Sequence, residues 1–198
     1  MSKEVLSGTS LAGMSTTRDR VDNDYYATPY SATEMLLDAV KFEGDFLEPC
    51  VGGGHIADII KKYYPTEEVR GYDLVDRGYP NTTEEDFLKC NIDVKYDNII
   101  TNPPYSLAQE FLEKGMEVVK DNGKIVMFLK IQFLEGAKRR KMFEVYPPKY
   151  IYVFSKRQNP WRNGSQVDEK GKPWASTMCF AWFIWEKGFK GDSIVKWL

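Results

Sequence analysis

Asp45-Phe46-Leu47-Glu48-Pro49-Cys50-Val51-Gly52-Gly53-Gly54 runs from a short apolar strand straight into three consecutive glycines. Glycines at a strand-to-helix turn let the backbone bend sharply and approach a ligand closely. A helical pattern over 56–64 follows and is ended by Pro65, and a second strand over 68–73 closes on Asp73. Strand, glycine turn, helix, strand is how an α/β fold with a parallel sheet begins. The spacing is not the GxGxxG of a dinucleotide site, and no Lys-Ser/Thr follows to make a phosphate loop. Asp73 lies 25 positions after Glu48, where an acceptor for ribose hydroxyls belongs in a nucleoside-binding sheet. Taken singly, a glycine-rich turn is more often just a turn. With the acid, it points to an adenosine-containing ligand at the carboxyl ends of the strands.

Outward from this core the pattern keeps alternating. Residues 1–22 are rich in Ser, Thr and Gly and read as a flexible tail, leaving 23–198 as one domain. Ser31-Ala32-Thr33-Glu34 fits a capping box for a helix that runs to about Phe42 and stops at Gly44. Phe87-Leu88 closes a weak third strand, and 97–101 is a fourth. A helix over 106–120 puts Leu107, Phe111, Leu112, Met116 and Val119 on one face, and 124–131 is a continuous apolar strand. A basic helix over 135–146 stops at Pro147-Pro148. Two aromatic strands, 149–155 and 177–186, have no helix pattern between them, only the long polar loop 156–174. The expected architecture is a doubly wound, mostly parallel sheet with an antiparallel pair at one edge, and Trp182 and Trp185 in its core.

Composition bounds the classes. The chain has 198 residues, 42% hydrophobic and 14% aromatic, which excludes global disorder and a disulfide-stapled mini-fold. No apolar run approaches the ~18 residues of a membrane span, and no signal pattern opens the chain. Cys50, Cys90 and Cys179 are far apart, as in a reduced cytoplasmic compartment, and His55 is the single histidine, so no metal is expected. The net charge is −2, but 138–172 holds ten Lys/Arg against three Asp/Glu. With Tyr146, Tyr150, Tyr152, Phe154 and Trp161 in the same stretch, its composition suits a polyanion-facing surface. It suits a solvated helix face equally well.

Asn102-Pro103-Pro104-Tyr105 follows the fourth strand directly. From ordinary residue frequencies it arises by chance in about one chain in a thousand of this length. Two prolines alone would make a rigid turn. Chemistry gives the flanking residues a purpose. An exocyclic aromatic amine is a poor nucleophile, because its lone pair is delocalised into the ring. The Asn102 amide oxygen and a proline carbonyl can each accept one amino hydrogen and localise that pair toward a methyl donor. Tyr105 offers a face on which an extruded base could stack.

These motifs resemble those of the class I S-adenosylmethionine-dependent amino-methyltransferases, specifically small phage and prophage enzymes similar to DNA N6-adenine methyltransferases. The resemblance rests on Tyr26-Ala27-Thr28-Pro29, Glu48-Pro49-Cys50 with the glycines, Asp73, Asp86-Phe87-Leu88, and Asn102 to Tyr105. Phe133-Leu134-Glu135-Gly136 and the tail from Ala181 to Gly188 and on through Trp197 also share it. It implies a Rossmann-like domain with a seven-stranded sheet and S-adenosylmethionine as cofactor. Tyr26, Thr28 and Pro29 would lie along that cofactor, the last two at its methionine end. Glu48, Cys50, Gly52 and Gly54 would form the cofactor loop, and Asp73 would bind the ribose. Asp86 would accept the adenine amine while Phe87 packs on the ring. Asn102, Pro103, Pro104 and Tyr105 would be catalytic. Val51 departs from the Ala or Ser of many relatives.

The expected partner is nucleic acid, DNA ahead of RNA, with Lys138, Arg139, Arg140, Lys156, Arg157, Trp161 and Arg162 flanking the mouth of the site. No membrane and no obligate protein partner are expected, and the setting would be the cytoplasm of a bacterial host. RNA adenine and a protein glutamine side chain are alternative substrates for the same chemistry. A silent nucleic-acid-binding relative is the non-enzymatic alternative. A nicotinamide oxidoreductase does not fit the loop spacing. Pro49-Cys50 mimics the nucleophile of cytosine C5 methylation, but at this turn the thiol would face the cofactor. His55 reads as a polar loop residue rather than a base.

Overall fold

In the computed structural model, which describes residues 25–198, Phe46–Glu48 is buried along its whole length. This strand, β2, sits inside an eight-stranded sheet, with β3 (Val69–Asp73) on one side and β5 (Tyr96–Thr101) on the other. The expected tail over 1–22 lies outside the described residues. Between β2 and β3 runs α2 (Ala57–Tyr63). β4 (Thr82–Glu84) lies beside β3, and α3 (Ala108–Val118) crosses from β5 to β6 (Val119–Lys130). Then follow α4 (Ala137–Val145), β7 (Tyr150–Val153), β9 (Phe180–Glu186) and β10 (Ile194–Trp197). The sheet order is β10-β7-β9-β6-β5-β2-β3-β4. Outside it, β1 (Tyr26–Ala27) precedes α1 (Tyr30–Ala39) and pairs antiparallel with β8 (Trp161–Arg162).

The pairings make every main-sheet strand parallel except β9, which is antiparallel to both β6 and β7. Strand order reverses between β2 and β5, so the crevice above their carboxyl ends is the usual ligand position of an open α/β sheet. Successive side chains of β2 divide between the faces. Phe46 enters the core shared with α1 and α2, and Leu47 the core shared with α3 and α4. Trp182 and Trp185, both fully buried on β9, divide likewise. Their indole N–H groups donate to the Ala32 carbonyl at 2.8 Å and the Tyr146 carbonyl at 3.0 Å. Each therefore meets the partner a buried indole needs.

Several expectations need correcting. The sheet has eight strands, not seven, and β10 lies outside β7, so the antiparallel strand is not at the edge. All four β10 residues are exposed, which leaves no alternation to read. The third strand is Thr82–Glu84, while Phe87-Leu88 lies in the turn beyond it with Phe87 turned into the core. No capping box forms. Pro29 is the N-cap of α1, and the Ser31 hydroxyl donates to the Gln158 amide oxygen at 3.3 Å. α1 ends at Ala39 and α3 at Val118, each short of its expected end. No helix among the described residues is long and apolar enough to cross a membrane.

Candidate active site

The carboxyl ends of β2, β3 and β5 surround one cavity, and three of its acids, Glu48, Asp73 and Asp86, are held by backbone donors. The glycine turn brings the Gly52 N–H to Asp73 Oδ2 at 2.8 Å, and the Val75 N–H reaches Oδ1 at 3.1 Å. Each oxygen keeps a lone pair for a hydroxyl beyond it. Asp86 is held alike, accepting from the Leu88 N–H at 3.0 Å. Lys89 pairs with it at 2.8 Å and holds its carboxyl below the usual range. Phe87, stacked on Phe111 at 5.3 Å, forms the apolar wall between them.

Glu48 differs from both. It is buried, it accepts from the Ala57 N–H, and its Oε2 has no hydrogen-bond partner among the described residues. Burial pushes this carboxyl well above its ordinary value, and Asp73 and Asp58 add to the rise. The Thr28 hydroxyl, also buried, is likewise unpartnered among the described residues. Glu48 and Thr28 both line the cavity. Two orphaned polar atoms among the lining residues suit a polar ligand. Burial also raises the Cys50 thiol well above its usual value, so it stays protonated and weakly nucleophilic, which speaks against cytosine C5 chemistry.

The Asn102 amide nitrogen donates to the Tyr26 carbonyl at 2.7 Å. A carbonyl only accepts, so this contact fixes which end of the amide is which. The amide oxygen is thereby the end left for a ligand. Asn102 lines the cavity with Tyr26 and Pro104.

Other expected residues build the site without lining it. Pro29 caps α1. Gly52 and Gly54 have positive φ, and an added Cβ would come within 2.5 Å of the Tyr25 ring and 2.1 Å of the Tyr79 ring respectively. Tyr105 packs against Phe180 at 5.9 Å with the Lys130 ammonium 4.9 Å from its ring centre. Pro103 is buried behind the turn.

The basic residues emerge at the same end of the sheet, since α4 follows the carboxyl end of β6 and the long loop follows that of β7. None of them lines the cavity, and several are engaged locally. Arg139 donates to the Glu135 carbonyl at 2.7 Å and lies over Phe133; Arg140 pairs with Glu144 at 3.0 Å. Arg157 donates to the carbonyls of Ser176, Thr177 and Met178. Lys138 and Lys156 are exposed. Trp161 and Arg162 form β8, which pairs with β1 beside the cavity.

Sequence reasoning missed Tyr25, Tyr30 and Arg77, and gave His55 too small a part. The Tyr25 hydroxyl accepts from the Gly53 N–H at 3.0 Å and lies 3.4 Å from His55 Nδ1. The Arg77 guanidinium sits 4.2 Å from the Tyr25 ring centre. His55 stacks on Tyr30 at 5.4 Å, and burial lowers its basicity. Tyr25, His55 and Arg77 line the cavity. No local pattern announces contacts across such separations.

No protein-family model matches this sequence, and no curated protein does either. Solved structures match the fold. A Listeria monocytogenes protein assigned as a class I S-adenosylmethionine-dependent methyltransferase superposes with a TM-score of 0.63 and 15% identity, over 92% of this chain and 68% of its own. A Vibrio vulnificus protein assigned as the modification subunit of a type I restriction enzyme gives 0.58 and 12%, over 85% of this chain and 45% of its own. An Agrobacterium tumefaciens protein assigned as an O-methyltransferase gives 0.57 and 12%, over 78% of each chain. At such identities the likeness is one of fold. The chain has the fold of the class I S-adenosylmethionine-dependent methyltransferases.

Proposed function

We propose that this protein is an S-adenosylmethionine-dependent methyltransferase acting on an exocyclic amine, the N6 amine of adenine in DNA. The observation that carries the reading is the Asn102 amide, anchored through its nitrogen beside a cavity whose acids suit an adenosyl ligand.

The cavity residues fit that cofactor. Among the described residues, the carboxylates of Asp73, Glu85 and Asp86 face it, beside the Glu48 carboxyl whose ionisation burial opposes, against the one guanidinium of Arg77. Such a lining favours a cationic ligand and repels the pyrophosphate of a dinucleotide. Asp73 would take the ribose hydroxyls, Asp86 and Phe87 the adenine, and Glu48 and Thr28 the amino-acid end. When bound, the cofactor supplies a methyl group on a sulfonium, so no nucleophilic thiol is needed.

The remaining work is positioning. The Asn102 amide oxygen accepts one hydrogen of the target amine. A proline carbonyl of the same turn accepts the other; that of Pro104, which lines the cavity, also takes the Leu107 N–H at 2.9 Å and keeps a second lone pair. Tyr105, packed against Phe180 with Lys130 over its ring, keeps for an extruded base only the part of its face that those contacts leave. The exposed Lys138 and Lys156, in the basic segments 138–140 and 156–162, lie along the phosphates. A restriction-modification subunit among proteins of this fold agrees with a nucleic-acid substrate. Transfer of a tritiated methyl group to DNA, to RNA and to protein, followed by identification of the modified base, tests the reading. Label confined to adenine N6 in DNA is the expected result. Label in RNA or on protein glutamine replaces the substrate, and no binding of the cofactor or its demethylated product defeats the reading altogether.

A further inference from the structure

The ladder β1–β8 stands apart from the main sheet and joins two places the proposed reaction needs. Tyr26, whose carbonyl receives the Asn102 amide, pairs with Arg162, and Ala27 pairs with Trp161. Two paired residues do not hold a strand in water by themselves. Here the Trp161 ring supplies the hold. It stands edge-on to Tyr30 at 5.3 Å and to His55 at 5.6 Å. The Asn163 N–H adds a bond to the Tyr25 carbonyl at 3.1 Å. Thus the long loop is wedged by one indole into a wall built from the first turn of α1 and the glycine turn.

We propose that Trp161 is a positioning residue: through the β8–β1 ladder it fixes the Tyr26 carbonyl, and through that carbonyl the orientation of the Asn102 amide. Its purpose rests on the methyl-transfer reading; its geometry does not. The terminal torsion of an asparagine is broad and roughly two-fold. Turned over, the amide would present its NH2 to the amine of the substrate, donor against donor. The Tyr26 carbonyl removes that state, because only the amide nitrogen can bond to it. The ring contacts give Trp161 a different part from a stacking platform for a base, and the two parts have different signatures.

The test uses the full chain labelled with 15N at asparagine, with the Asn102 side-chain signal assigned by its loss in Asn102→Ala. Trp161→Ala should shift that signal toward the position of a free amide and speed its solvent exchange at least about tenfold. Trp161→Phe should restore most of both. Tyr30→Leu, which removes one face of the wedge, should act the same way more weakly, and serves where Trp161→Ala does not fold. On an adenine-containing oligonucleotide, kcat should fall while KM holds. An Asn102 signal unchanged in folded Trp161→Ala and Tyr30→Leu overturns the proposal, as does a raised KM with unchanged exchange, the mark of a base platform. If the amide responds as expected but the wild type methylates no DNA, RNA or protein, the positioning stands and the methyl-transfer reading alone falls.

Discussion

The acids of the cavity and the basic residues of 138–172 are both clusters of charge, and the chain treats them oppositely. Asp73 is oriented by two backbone N–H groups and presents its remaining lone pairs to the cavity, and Asp86, though paired with Lys89, is oriented by the Leu88 N–H and lines the cavity too. Arg139 and Arg157 spend their donors on carbonyls of their own neighbourhood, and Arg140 on Glu144. A carboxylate that accepts two backbone bonds is preorganised and still has acceptor capacity. An arginine that caps several carbonyls serves the loop first. Counting charges in a sequence therefore locates a surface without saying which charges face outward.

The comparison breaks most sharply at Asn102. Replacing it by Ala should lower methyl transfer by about 10²–10³-fold, the usual cost of one donor or acceptor aimed at the reacting group. Cofactor affinity should stay within a few-fold, and calorimetry beside a turnover assay reads both. Near-normal turnover would reduce Asn102-Pro103-Pro104-Tyr105 to a turn.

Asp73→Ala comes next. Hydrogen bonds to a charged group contribute about 1.5–3 kcal/mol, so the dissociation constant for the adenosyl ligand should rise about tenfold or more. The stabilisation that ligand gives on melting should shrink with it. Equal affinity in Asp73→Ala would mean that this acid only ties down the glycine turn.

Glu48 makes a smaller, pH-dependent prediction. Burial raises its folded carboxyl above the unfolded value of about 4.3, so the native state holds a proton that the unfolded chain has released. Stability on this account is greatest below the unfolded value and falls as pH rises toward the folded one. Glu48→Gln is neutral throughout, so its melting temperature should gain on that of the wild type as pH rises above the unfolded value. Parallel curves would show that Glu48 ionises freely.

Salt dependence gives the smallest effect and sharpens the basic half of the comparison. If nucleic acid crosses the mouth beside β8, replacing the exposed Lys156 by Ala should flatten the log–log salt slope. The change is about 0.9 for each duplex phosphate no longer neutralised. Arg140→Ala, which removes a residue paired with Glu144, should change it less. Equal flattening by both would place the polyanion across α4 as well.

What was legible in the sequence was local. The strand into Gly52-Gly53-Gly54 and the stretch Asn102 to Tyr105 each lie within a few consecutive residues, and the acids Asp73 and Asp86 are each read from their own short stretch. Of the residues expected at the site, Glu48, Asp73, Asp86, Phe87 and Asn102 line one cavity, while Pro29, Gly52, Gly54, Pro103 and Tyr105 do not. The illegible part is long-range. Tyr25 reaches Gly53, Trp161 reaches Tyr30 and His55, and Gln158 takes the Ser31 hydroxyl that a capping box would have used. β10 escaped for the opposite reason, since an exposed edge strand carries no burial pattern. Arginine direction depends on which carbonyls are left over after folding, and no periodicity records that.

The position of β9 has a consequence for the order in which the molecule can assemble. The strands β2, β3 and β5 and the Asn102 turn leave the ribosome early and have parallel partners among themselves. Yet α1 receives Trp182 at the Ala32 carbonyl, and β6 is matched along Lys124 to Lys130 by Glu186 to Phe180. Such distant pairings close late, because loop entropy must be met before the contacts form. During synthesis the nascent chain therefore carries a half-built cavity whose wall on the α1 side is unsupported until residues 180–186 emerge, and a polymerising ribosome that stalls before them leaves β6 with a bare apolar edge.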